Sequence, residues 1–120
     1  MNRNDEIDLY RMYVHTGIKA IENAPDADAV VILRTANGKE HCFPISIGCA
    51  FVPQIVSTLD ASQETHILYL VHIWKNHWLD IPAYDLRKAL MDIHPENKSA
   101  KTMLIGENSF IIRSIEDTMH

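Results

Sequence analysis

The eight residues Ile67-Leu68-Tyr69-Leu70-Val71-His72-Ile73-Trp74 constrain the fold more than any other stretch of this chain. Read as extended backbone, they are apolar on both faces, which places them in the interior of a sheet rather than at a wetted border. Ile67, Leu70, Val71, Trp74 and Trp78 also fit helical spacing. The aromatic and β-branched content favours the strand.

The flanking segments supply the partners such a strand needs. From Asn4 to Ala24, Ile7, Tyr10, Val14, Ile18 and Ile21 recur every three or four residues, Asp5 and Glu6 occupy the first turn, and Pro25 ends the run. This pattern predicts an amphipathic helix with its dipole matched by acidic residues. Ala29 to Thr35 and Glu40 to Ser46 read as the arms of a hairpin, with Asn37-Gly38 at a turn that needs positive φ at both central positions. Pro44 donates no ladder hydrogen bond, so the second arm belongs at a sheet edge. Pro53 opens a short helix to Asp60, with Val52, Ile55, Val56 and Leu59 on one face. After the turn-like Lys75-Asn76-His77, Asp80 is expected to cap a helix with Leu86, Ala89, Leu90 and Ile93 inward and Arg87, Lys88 and Asp92 outward. The polar run His94 to Ser99 ends that helix, and Thr102 to Ile105 with Phe110 to Ile115 form a closing hairpin around Gly106-Glu107-Asn108-Ser109. The order α-ββ-α-β-α-ββ describes one α+β domain over residues 1–120. It has about five mainly antiparallel strands, two hairpins plus a central strand, packed with about three helices.

Composition narrows the partners. Eleven Lys and Arg against sixteen Asp and Glu give a net charge of −5, so the general attraction for phosphate backbones is missing and no nucleic-acid partner is expected. No apolar run approaches the ~20 residues of a membrane span, and Met1 to Glu6 lacks an apolar signal core, so a soluble, cytoplasmic protein is expected without a membrane partner. Cys42 and Cys49 are the only cysteines, and they read as two buried, reduced thiols rather than a disulfide.

Seven histidines raise the question of metal. His72 and His77 are five residues apart, which separates them by about 140° on a helix and puts them on opposite faces of a strand. With no Cys-x-x-Cys or His-Glu-x-x-His element, no metal and no cofactor are expected. The glycines at 17, 38, 48 and 106 are too scattered for a phosphate loop, and no Gly-x-Ser-x-Gly elbow occurs.

The richest stretch runs from Trp74 to Arg87. In a ligand-binding reading, Trp74 or Trp78 offers stacking area, Arg87 reads an anion, His77 or Asp80 accepts a hydrogen bond and Tyr84 lines the rim. An enzymatic reading, a hydrolase or transferase, needs a site assembled across the fold from Cys49, His72, His77 and Asp80, with Cys49 favoured by its place before a helix start. The plainer account has His72 half-buried and hydrogen-bonded, His77 exposed in a turn and Asp80 serving as a cap. By elimination, the sequence favours a non-catalytic interaction or regulatory domain that self-associates as a homodimer or binds a protein partner. Its surface would be a strand edge or the helix face Leu9, Met12 and Tyr13, with Trp78→Ala or Tyr13→Ala altering association without unfolding the domain.

Overall fold

The computed structural model describes residues 3–48, 50–105 and 110–119. In chain order the elements are α1 (Arg3–Glu22), β1 (Ala29–Thr35), β2 (Glu40–Ile45), α2 (Val52–Ala61), β3 (Ile67–Trp74), β4 (Leu79–Asp80), α3 (Tyr84–Ile93), β5 (Lys101–Ile105) and β6 (Phe110–Ser114). Short 3-10 turns follow α3 at Pro95–Ser99 and β6 at Glu116–Met119. This is the expected single α+β domain, with a sixth, two-residue strand added to the five expected.

The sheet order is β2-β1-β3-β5-β6, and β4 also pairs with β3. All pairings are antiparallel except β3 with β5. The ambiguous segment is therefore a strand, and it is central, as its two apolar faces require. Leu70 packs in the core under α2 and α3, with Val31, Leu33, Ile55, Leu59, Leu86 and Leu90. Val71 and Ile73 point the other way, into the core under α1, with Val30, Ile32, Tyr13, Ile21 and Met103. A bulge interrupts the alternation: Arg34 pairs with Tyr69 and Thr35 with Ile67, so Leu68 has no partner on β1 and Ile67 turns into the α2/α3 core. β2 lies at one edge with Pro44 exposed, as the missing amide hydrogen demands.

Helix α1 follows its forecast limits but presents a rotated face. Its most enclosed positions are Tyr13, Gly17 and Ile21. Tyr13 is wholly buried, so it belongs to the core and not to an association surface, and Tyr13→Ala would unfold rather than dissociate. Gly17 lets the helix close onto the sheet, since a Cβ there would meet the side chain of Ile73.

Both tight hairpins use one geometry. At β1-β2, Gly38 N–H donates to Thr35 O and Thr35 N–H to Lys39 O; at β3-β4, His77 N–H donates to Trp74 O and Trp74 N–H to Trp78 O. Each is a three-residue loop whose last residue is left-handed, Gly38 at φ 87° and His77 at φ 71°. Asn37 stays at negative φ and instead accepts from Thr35 Oγ1 and Lys39 N–H. The two-residue turn expected at Asn37-Gly38 is thus one residue longer.

The start of α3 also departs from expectation. Asp80 lies in β4, and the helix begins four residues later behind Ala83, with no side-chain cap. Pro82 is the reason: it disfavours helical backbone at Ile81 and is itself buried. Arg87, expected on the wet side, is only 8% exposed. Asn97, in the polar run that ends α3, is fully buried and ties that run to α3, to the start of β3 and to the chain just before it. Its Nδ2 donates to Thr65 O at 2.8 Å and Leu90 O at 2.7 Å, and its Oδ1 accepts from Ile67 N–H at 2.7 Å.

Candidate functional site

The junction from Trp74 to Arg87 is split by the fold into a surface strip and a buried root. Trp78 and Tyr84 are each 53% exposed and Ile81 is 42% exposed. Trp78 and Ile81 flank the short β4, and Tyr84 is the first residue of α3. His77 is exposed at the hairpin tip. Trp74 is half-buried, and its Nε1 donates to Asp80 Oδ2 at 2.9 Å while Asp80 Oδ1 accepts from Ile81 N–H at 2.7 Å. The carboxylate expected to cap a helix thus fixes an indole and the turn out of β4.

His72 lies opposite Asp80 in the β3-β4 register and edge-on to Trp74 at 4.5 Å between ring centroids. It is buried, not half-buried, and neither ring nitrogen has a hydrogen-bond partner. Burial pushes its pKa down, and the Asp80 charge opposes that only in part. The imidazole is neutral at pH 7. Arg87 lies under Tyr84, its guanidinium 5.7 Å from the centre of that ring, and its Nη1 donates at 2.8 Å to both Thr118 O and Thr118 Oγ1.

Two shallow depressions flank the strip. One, of about 380 Å³, is lined by Trp74, Lys75, Asn76, Asp28 and Ile47. The other, of about 430 Å³, is lined by Ala50, Phe51, Val52, Pro53, Ala83 and Asp85. Trp74, Phe51, Val52 and Ala83 all pack against the α2/α3 core, so this end of the domain is where that core reaches the surface. The contribution of Ile47 and of the start of α2 was invisible in sequence, because nothing in the 47–53 pattern ties it to Trp74. Ile47, 63% exposed, is positioned by the turn after β2, where its N–H donates to Asp28 Oδ2 at 2.7 Å.

A second polar cluster also escaped the sequence. His41 Nε2 donates to Glu64 Oε2 at 2.6 Å, with Lys39 Nζ 3.6 Å from Glu64 Oε1. The His41 hydrogen bond holds the Glu64 carboxyl below the usual range. Twenty-three residues separate the pair, and the fold joins them because Gln63, at φ 56°, ends α2 in a Schellman turn that swings Glu64 back toward β2. His66 and His94 stack beside it at 4.6 Å, on a cleft of about 220 Å³.

Cys49, the thiol proposed for catalysis, lies outside the described residues. Cys42, expected to be buried, is exposed on β2 and free, because its position opposite Ile32 turns it to the side of the edge strand that α1 leaves open. Burial and Glu40 push its thiol pKa up. Among the described residues, no three His, Cys, Asp or Glu side chains are placed to hold one metal ion, and no helix is long and apolar enough to cross a membrane. No protein-family model and no curated protein matches the chain.

Proposed function

We propose that this is a small cytoplasmic, non-catalytic interaction domain that self-associates as a symmetric dimer through the strip Trp78, Ile81 and Tyr84. One observation carries the reading: three of the five large hydrophobic side chains exposed on the described surface fall within seven residues of one another. Trp and Tyr in such a cluster are the residue types that dominate binding energy at interfaces.

A second copy is the occupant favoured by charge. Lys88 and Asp85, exposed in the first turns of α3 beside Tyr84, supply both signs of charge, which a self-complementary interface can set against each other. The depression beside Ala83 and Phe51 is large enough to receive an indole. The free, exposed thiol of Cys42 fits a reducing compartment.

Light scattering on the protein eluting from a sizing column tests this. The expected mass is twice the 13.7 kDa of one chain, reduced to one chain by Trp78→Ser with the circular dichroism spectrum unchanged. A wild-type monomer at high concentration, or a dimer indifferent to Trp78→Ser, would refute the reading.

A further inference from the structure

We propose that His72 is a proton-operated release for the surface strip: when its ring takes up a proton, it draws the Asp80 carboxylate off the Trp74 indole and the Ile81 amide. The inference rests on the self-association reading for its target and adds the condition that ends the association.

Three side chains make the device. His72 and Asp80 are directly opposite in the β3-β4 register, so their side chains share one face of the sheet, and Trp74, the next residue but one on β3, shares it too. The two rings of His72 and Trp74 meet edge-on at 4.5 Å, and Trp74 Nε1 donates to Asp80 Oδ2. His72 is only 4% exposed, yet neither of its nitrogens has a partner. Buried polar groups are ordinarily paired, so an unpartnered imidazole beside a carboxylate marks a bond that a second state of the ring can make.

Among the described residues, the charge that acts on this ring is that of Asp80. β1 faces His72 with Val31, and Lys101 on β5 is in register with Tyr69, on the opposite face of β3. On the helices of the His72 side, Asp60, Asp85, Lys88 and Asp92 are exposed, and Arg87 is engaged with Thr118. Around the hairpin, Lys75 Nζ donates to Pro25 O, Asp28 accepts from the Ile47 amide and His77 is exposed.

At neutral pH the uncharged ring leaves Asp80 with its two neutral donors, Trp74 Nε1–H and Ile81 N–H. A protonated imidazole is a cationic donor, and its bond to a carboxylate is roughly twice as strong as theirs. Asp80 turns inward, the indole and the exit from β4 lose their shared anchor, and Ile81 and Tyr84 lose their fixed placement beside Trp78.

Trp78→Ser leaves Trp74 as the one tryptophan of the chain, so its indole N–H resonance reports the latch without any dimer. That resonance and the His72 ring protons are followed by NMR from about pH 8 to 5. Both are expected to shift with one midpoint, below about 6.5. The indole signal stays flat when His72→Leu is added, and equally with Asp80→Asn, which keeps an oxygen for the indole but no charge for the imidazolium. In the wild-type chain, light scattering over the same window shows self-association weakened about tenfold. An indole resonance that holds its place while His72 protonates, or that moves only as the backbone amides lose their dispersion, overturns the proposal, and so does a latch that opens while the wild-type dimer persists. A wild-type chain that is monomeric at every pH refutes the self-association reading instead, and the single-tryptophan titration still decides whether His72 works the latch.

Discussion

Trp74 and Asp80 are tied side chain to side chain across the β3-β4 hairpin, the indole N–H donating to the carboxylate at 2.9 Å. Asp80 also accepts from the Ile81 amide, so it sets both the plane of the indole and the exit of the chain toward α3. Asp80→Ala is therefore expected to cost about 0.5–1.5 kcal/mol, the net worth of a partly wet hydrogen bond, and to shift tryptophan emission to longer wavelength. Urea unfolding followed by fluorescence measures both, and unchanged emission would mean the indole is held by packing alone.

The twin hairpin geometry allows a paired test. His77 pays the left-handed backbone penalty that Gly38 avoids, at φ 71° and 87° respectively. His77→Gly is expected to raise stability by roughly 0.5–1 kcal/mol and Gly38→Ala to lower it by about 1–2 kcal/mol. Thermal melts of the two variants should move in opposite directions.

Acid sensitivity should come in two stages. His72 is held neutral by burial. With its folded-state pKa below the unfolded value of about 6.5, stability is fully present above that pH and falls as acid is added. Glu64 is lowered chiefly by His41, so its contribution is present above the unfolded value of about 4.3 and is lost as pH falls below it. His72→Leu is expected to flatten the upper stage and leave stability at pH 7 equal or higher by up to about 1 kcal/mol, because the ring nitrogens it removes have no partners. His41→Leu should flatten only the lower stage. Denaturant midpoints between pH 3 and 8 separate the two.

Asn97 is the costliest polar side chain to remove. Its amide closes bonds to Thr65, Ile67 and Leu90 from a position with no exposure. Asn97→Ala leaves three main-chain groups unsatisfied in the interior, and a loss of at least about 3 kcal/mol is expected. A loss under 1 kcal/mol in chemical denaturation would mean that water replaces the amide.

The sheet was legible because its signals are periodic or steric. The two-sided apolar run of Ile67–Trp74, Pro44 at an edge and the spacing of Leu86 and Leu90 each admit few placements. What could not be read depends on where side chains end up in three dimensions. Asn97 looks like any residue of a polar loop until the 3-10 turn folds it under β3. Arg87 sits one residue past Leu86 in a helical stripe, and only the return of the chain at Thr118 covers it. Asp80 has the right chemistry for a cap, yet Pro82 delays the helix and hands the carboxylate to Trp74. At the candidate surface, Trp78 and Tyr84 were readable from their own segment. Their neighbours Ile47 and Phe51 arrive from another part of the chain.

The link between β3 and β5 rests on one registered pair, Tyr69 with Lys101, whereas β1 meets β3 at seven positions and β5 meets β6 at five. The sheet therefore has a seam. The C-terminal strands β5 and β6 are expected to open before β1 and β3 while keeping their own ladder, with the Asn97 bond to the Ile67 amide holding them to β3. Amide protons of β1 and the β3 positions facing it would then report global unfolding in hydrogen exchange, and those of β5 and β6 a cheaper, partial opening.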